Sequence, residues 1–138
     1  MKMSVHLNFG GNCKEAFEFY SKVFKAGNPF LMTYAQAPGG APVPPDWSDK
    51  VMHTAIPLAG GALMGCDAPP GRSAPMGGFQ VCVEDKDQAE VKRMFEALSE
   101  GGNVSMPLAK TFWSPLFGML TDRFGVNWML SVPGEQPA

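Results

Sequence analysis

Residues 4–24, SVHLNFGGNCKEAFEFYSKVF, change their hydrophobic period half-way along. In the first part Val5, Leu7 and Phe9 alternate with His6 and Asn8, the period-two pattern of a half-buried strand. Gly10-Gly11 breaks it. Asn12 then suits an N-cap, and Glu15 three residues on completes a capping-box pattern. Ala16, Phe19, Tyr20, Val23 and Phe24 follow at helical spacing, and Gly27 is placed to end the helix.

Working outward, residues 29–36, PFLMTYAQ, predict a second strand. Residues 37–49, APGGAPVPPDWSD, are too rich in Pro and Gly for regular structure. Residues 51–58 and 62–66 are short apolar runs on either side of Gly60-Gly61, which predicts a hairpin. The same order then recurs. Phe79–Val83 reads as a strand, with Gln80 and Cys82 on the face opposite Phe79, Val81 and Val83. Asp85 and Gln88 suit a second capping box, and Ala89, Val91, Met94, Phe95 and Leu98 form a stripe ending at Gly101-Gly102. Strand-like pieces follow at 103–108, 117–121 and 127–132. The expected fold class is therefore α+β. Two tandem βαβββ modules, at about 4–66 and 78–132 of one 1–138 domain, would form a curved, cup-like mixed sheet with helices outside.

Composition narrows the function. The formal charge is −2, and no run of Lys or Arg exceeds the pair Lys92-Arg93, so a nucleic-acid partner is excluded. No apolar stretch reaches membrane-spanning length, and the N-terminus lacks the apolar core of a signal peptide. Cys13, Cys66 and Cys82 are odd in number and form no C-x-x-C pair, which points to a reducing cytoplasm rather than a disulfide framework.

Three segments taken together carry a family resemblance: LNFGGNCKEAFEFYSKVF (7–24), VMHTAIPLAGGALMGCDAPPG (51–71) and TFWSPLFGMLTDRFGVNWML (111–130). They resemble the PhnB-like branch of the vicinal-oxygen-chelate superfamily, which includes glyoxalase I, fosfomycin-resistance enzymes, extradiol dioxygenases and bleomycin-binding proteins. The resemblance spans nearly the whole chain and implies paired modules and a frequent homodimer. It also implies four metal-ligand positions, which fall here on His6, Met64, Gly78 (with Gln80 the next inward residue) and Met129. One nitrogen donor and two thioethers do not suit Zn²⁺, Ni²⁺ or Mn²⁺. Some relatives in this branch are called demethylubiquinone methyltransferases. The glycine pairs here lie in no doubly wound sheet of the kind that binds a methyl donor, so methyl transfer is not expected.

The leading expectation is a protein without metal or other cofactor that binds a small organic molecule. His6, Asn8, Met64, Cys66, Gln80, Cys82, Trp113 and Met129 would line its apolar cup. The alternative is a glyoxalase-type isomerase or lyase with a reduced or dimer-shared ligand set, using His6 and His53 helped by Cys66 or Cys82. His53 alone reads as a surface or edge-strand residue. Cys66 and Cys82 read as small hydrophobes, while Cys13, at a helix start, is open to a lowered thiol pKa. Asp67 reads as a loop anchor and Asp122 as a turn former. Trp128 suits core packing or ligand stacking equally, and Trp47 suits a lid or a dimer seam.

Overall fold

A computed structural model describes residues 1–37, 39, 43–58, 60–72 and 74–134. The chain divides into two compact units, Met1–Met76 and Gly77–Ala138. In the first, β1 (Val5–Phe9) leads into α1 (Cys13–Val23), followed by β2 (Phe30–Thr33), β3 (Val51–Leu58) and β4 (Gly61–Asp67). The second repeats the order with β5 (Val81–Glu84), α2 (Gln88–Ser99), β6 (Asn103–Ala109), β7 (Leu116–Thr121) and β8 (Asn127–Val132). The fold is α+β, two βαβββ units in tandem.

Each unit holds one four-stranded mixed sheet, ordered β1-β4-β3-β2 and β5-β8-β7-β6. In both, the first strand runs parallel to the fourth and the other pairings are antiparallel. Such a crossover needs an intervening connection, and here the helix supplies it. Strand alternation then does the sorting, because successive side chains point to opposite faces. Leu7 and Phe9 go under α1, leaving His6 and Asn8 on the helix-free face. Trp128, Leu130 and Val132 go under α2, leaving Asn127, Met129 and Ser131 outward.

The helices pack closely enough to require glycine beneath them. A Cβ on Gly65 would lie 2.6 Å from Cε1 of Phe17, and one on Gly118 would lie 2.7 Å from Cε2 of Phe95. Fully burying each such aromatic or leucine contributes roughly 1.5–3 kcal/mol, so the ring-on-glycine contacts are a substantial part of each core.

Several local expectations are corrected. Asn12 flanks α1, but its side chain makes no capping bond. Asp67 takes that role from the far end of the unit, accepting from the N–H groups of Gly11 (2.8 Å) and Cys13 (3.0 Å). The buried stripe of α1 is Cys13, Ala16, Phe17, Tyr20 and Val23, so Phe17 replaces Phe19. The helix stops at Val23, before Gly27, and Lys25 turns the chain with a φ of 53°. α2 is capped by Asp87, whose carboxylate accepts from Ala89 and Glu90; Asp85 instead accepts from the N–H of Asp87. The second strand closes into a short 3₁₀ turn at Tyr34–Gln36, and another turn at Pro45–Trp47 interrupts the Pro-rich stretch, whose residues 38 and 40–42 lie outside the described set. No helix among the described residues is long and apolar enough to cross a membrane.

Candidate functional site

On the first unit's helix-free face, His6 stands beside Met64 and Asn8 beside Cys66 in parallel register. Met64 faces Ala55 on β3, which faces Phe30 on β2. The Cys66 thiol donates to Oδ1 of Asn8 at 3.3 Å. Four expected site residues thus share one patch. His53 joins it, which corrects its reading as an edge residue. It lies on the interior strand β3, opposite Met32, with its ring 6.1 Å from that of Phe30. Its face follows from plain alternation with Ala55; the register shift between Met32 and Thr33 turns Val51, not His53, to the buried side.

The patch has weak acid–base chemistry. His6 is held below its ordinary pKa by burial and, second, by the His53 imidazole. Burial and then Asp67 push the Cys66 thiol up. Cys13 is fully buried, and burial, with Asp67 and Cys66, raises its thiol instead of lowering it. Neither thiol is activated toward nucleophilic attack. Tyr34, its own pKa raised chiefly by burial, donates its hydroxyl to the backbone carbonyl of Asp67 at 2.7 Å.

Asp67 explains why this helix start is no anion site. Its carboxylate is buried and accepts from Gly11, Cys13 and, at 3.0 Å, Val51. The N–H groups that could cradle a phosphate are already paired. Trp47 lies over the same turn: its ring would sit 3.7 Å from a Cβ on Gly11, where φ is +130°, and Lys50 stands over the ring and donates to the Gly11 carbonyl. Trp47 therefore covers its own unit's β1–α1 turn.

The second unit's helix-free face is a row of sulfur. Cys82 faces Met129, Met129 faces Met119, and Met119 faces Met106. The Cys82 and Met129 sulfurs are 3.7 Å apart. Beside this row Glu84 faces Ser131, and Ser131 faces Phe117. Trp113 packs edge-on against Phe117 at 5.3 Å and stays about 38% exposed. Cys82, Met129 and Trp113 thus lie at or beside one face. Gln80 does not share the strand expected for it: β5 begins at Val81, and Gln80 is exposed in the preceding loop. Trp128 is core, with Nε1 donating to Asp122 Oδ2 at 2.9 Å, while Asp122 Oδ1 fixes the β7–β8 turn through Phe124 and Val126. Sequence reasoning missed Met106, Phe117, Met119 and Glu84. The signal for the last three was present as alternation in β7 and β5, but it needs the pairing register to be read, and Met106 lies between two register shifts on β6.

The model of the family described as 3-demethylubiquinone-9 3-methyltransferase matches residues 1–131. The chain belongs to this PhnB-like family. The PhnB-like chain is 32% identical to Protein YjdN of Escherichia coli K12, over 99% of each protein. The crystal structure of protein PA1353 from Pseudomonas aeruginosa has a TM-score of 0.84 at 40% identity, covering 96% of this chain and 98% of that one. A Bacillus cereus structure, described as a putative 3-demethylubiquinone-9 3-methyltransferase, PhnB protein, has a TM-score of 0.74 at 25% identity, covering 96% and 99%. Structures described as glyoxalase-related or glyoxalase/bleomycin resistance proteins share the PhnB-like fold.

The metal of the wider superfamily can be tested against the donors present. Among the described residues, no three His, Cys, Asp or Glu side chains gather as a metal site. In the first unit His6 has one further imidazole in its patch, His53, its strand neighbour is the thioether of Met64, and the Asp67 carboxylate is paired with backbone. In the second, Met129 faces the sulfurs of Cys82 and Met119. These donors do not suit a hard or borderline cation that must keep an open coordination position for substrate.

Proposed function

We propose that this PhnB-like protein binds a small, largely apolar organic molecule against the helix-free faces of its sheets, without a catalytic metal. The composition of those faces supports the reading. Met32, Ala55, Met64, Phe117, Met119 and Met129 offer apolar, polarisable surface, and His6, Asn8, Cys66 and Ser131 add a few hydrogen-bonding groups. An apolar wall with sparse polar groups is the ordinary make-up of a ligand site, and methionine adapts it to irregular ligands. The methyltransferase name attached to the family finds no counterpart in the sheets. Both are mixed, four-stranded βαβββ sheets rather than doubly wound parallel ones, and the glycine turn into α1 is closed by Asp67.

Two measurements on freshly purified protein test this. Native mass spectrometry is expected to show a retained small molecule or to report binding from an apolar ligand panel, with Met64→Lys and Met129→Lys weakening it. Elemental analysis is expected to find no stoichiometric zinc, nickel, manganese or iron. One equivalent of such a metal, lost in His6→Ala, would overturn the reading in favour of a glyoxalase-type isomerase or lyase.

A further inference from the structure

The eight strands contain no Lys or Arg and only two carboxylates, Asp67 and Glu84. Asp67 is buried and accepts from three backbone N–H groups. Glu84 differs in each respect. It is exposed at the end of β5, on the helix-free side with Cys82, and among the described residues no cationic side chain pairs with it. It is the one strand carboxylate left for a partner from outside.

Its surroundings form a cavity. Glu84, Trp113, Ser131 and Pro133 are among the residues lining a space of about 330 Å³ within the second unit. The Trp113 ring is braced by Phe117 at 5.3 Å and Phe112 at 4.6 Å, both edge-on. Ser114, also at the wall, spends its hydroxyl on the carbonyls of Leu116 and Val132, so it contributes shape rather than polarity. A carboxylate residue and a braced, half-exposed tryptophan on the wall of one cavity can recognise positive charge twice, through the anion and through the negative face of the ring.

We infer that this cavity selects organic cations: a protonated amine or quaternary ammonium carried on an apolar body. The cationic head lies between Glu84 and Trp113, and the apolar body extends over the neighbouring Phe117 and sulfur row. An anionic head at this position meets repulsion from Glu84 and finds no Lys or Arg on any strand. The inference deepens the proposed small-molecule reading and rests on it.

Isothermal titration of the full chain with N-methylquinolinium and with neutral quinoline, at about pH 7.5 and low salt, tests it. The cation is expected to bind about tenfold more tightly, an advantage that shrinks as salt rises. Glu84→Gln, at an exposed site, is expected to erase the advantage of the cation over quinoline, while Trp113→Leu weakens both. Equal binding of the two probes to the native chain, or a cation preference that survives Glu84→Gln, would overturn the inference and leave small-molecule binding intact. Binding of neither probe would overturn both.

Discussion

The two units share an element order yet place their buried carboxylates differently. Asp67 closes β4 and reaches back 56, 54 and 16 residues, to Gly11, Cys13 and Val51. With Tyr34 on its carbonyl, it ties four separate segments. Asp122 fixes Phe124, Val126 and Trp128, each within six residues of it, around one hairpin. α2 meanwhile takes its cap from Asp87 immediately before it. One unit is closed by a single long-range anchor, and the other by two local ones. The same topology therefore admits two ways of satisfying its helix start, and a substitution that is global in one unit is local in the other.

The sharpest way to break the comparison is Asp67→Ala. It strips acceptors from three backbone donors in a buried setting and is expected to cost about 3 kcal/mol or more, read as a lowered urea midpoint. If it cost no more than Asp122→Ala, the contrast would fail. Asp122→Ala is expected to cost about 2 kcal/mol and to shift the emission of Trp128, because the hairpin loosens and the indole N–H loses its partner. Asp87→Ala is expected to cost about 1 kcal/mol, the usual worth of an N-cap, whereas Asn12→Ala should be within about 0.5 kcal/mol of neutral. Comparable losses at Asn12 and Asp87 would show that α1 is capped locally after all.

The smallest expected effect is a titration. His6 is held below its ordinary value by burial and by His53, so its imidazole should titrate below 6.5 by NMR. His53→Ala should move the midpoint upward. The sign for stability follows: between the folded and unfolded values the unfolded chain binds more protons. Stability therefore rises with pH through that window, and the protein is slightly penalised below it.

Much of the fold was legible because alternation and helical spacing are local signals. Both β1–α1 and β5–α2 follow from Val5, Leu7 and Phe9 and from Val91, Met94, Phe95 and Leu98. The caps were misjudged for opposite reasons. Asn12–Glu15 is a valid local pattern defeated by a carboxylate more than fifty residues away, and Asp85 lost to a second aspartate two residues on. Of the candidate site, His6, Asn8, Met64 and Cys66 fell together because parallel register preserves what alternation predicts. His53 depended on which strands flank β3, Gln80 on where β5 begins to pair with β8, and Glu84 on the partner strand opposite it. Pairing is a property of two segments, and neither segment states it alone.

The reach of Asp67 also orders events in time. At roughly 5–20 residues per second of synthesis, Asp67 follows Cys13 by about 3–10 seconds. Throughout that interval the nascent α1 carries an open first turn and an uncovered stripe of Ala16, Phe17 and Tyr20. α2 leaves the ribosome with Asp87 already ahead of it. The amino-terminal helix thus waits for the acceptor that closes its first turn, while the carboxy-terminal helix is born with its own.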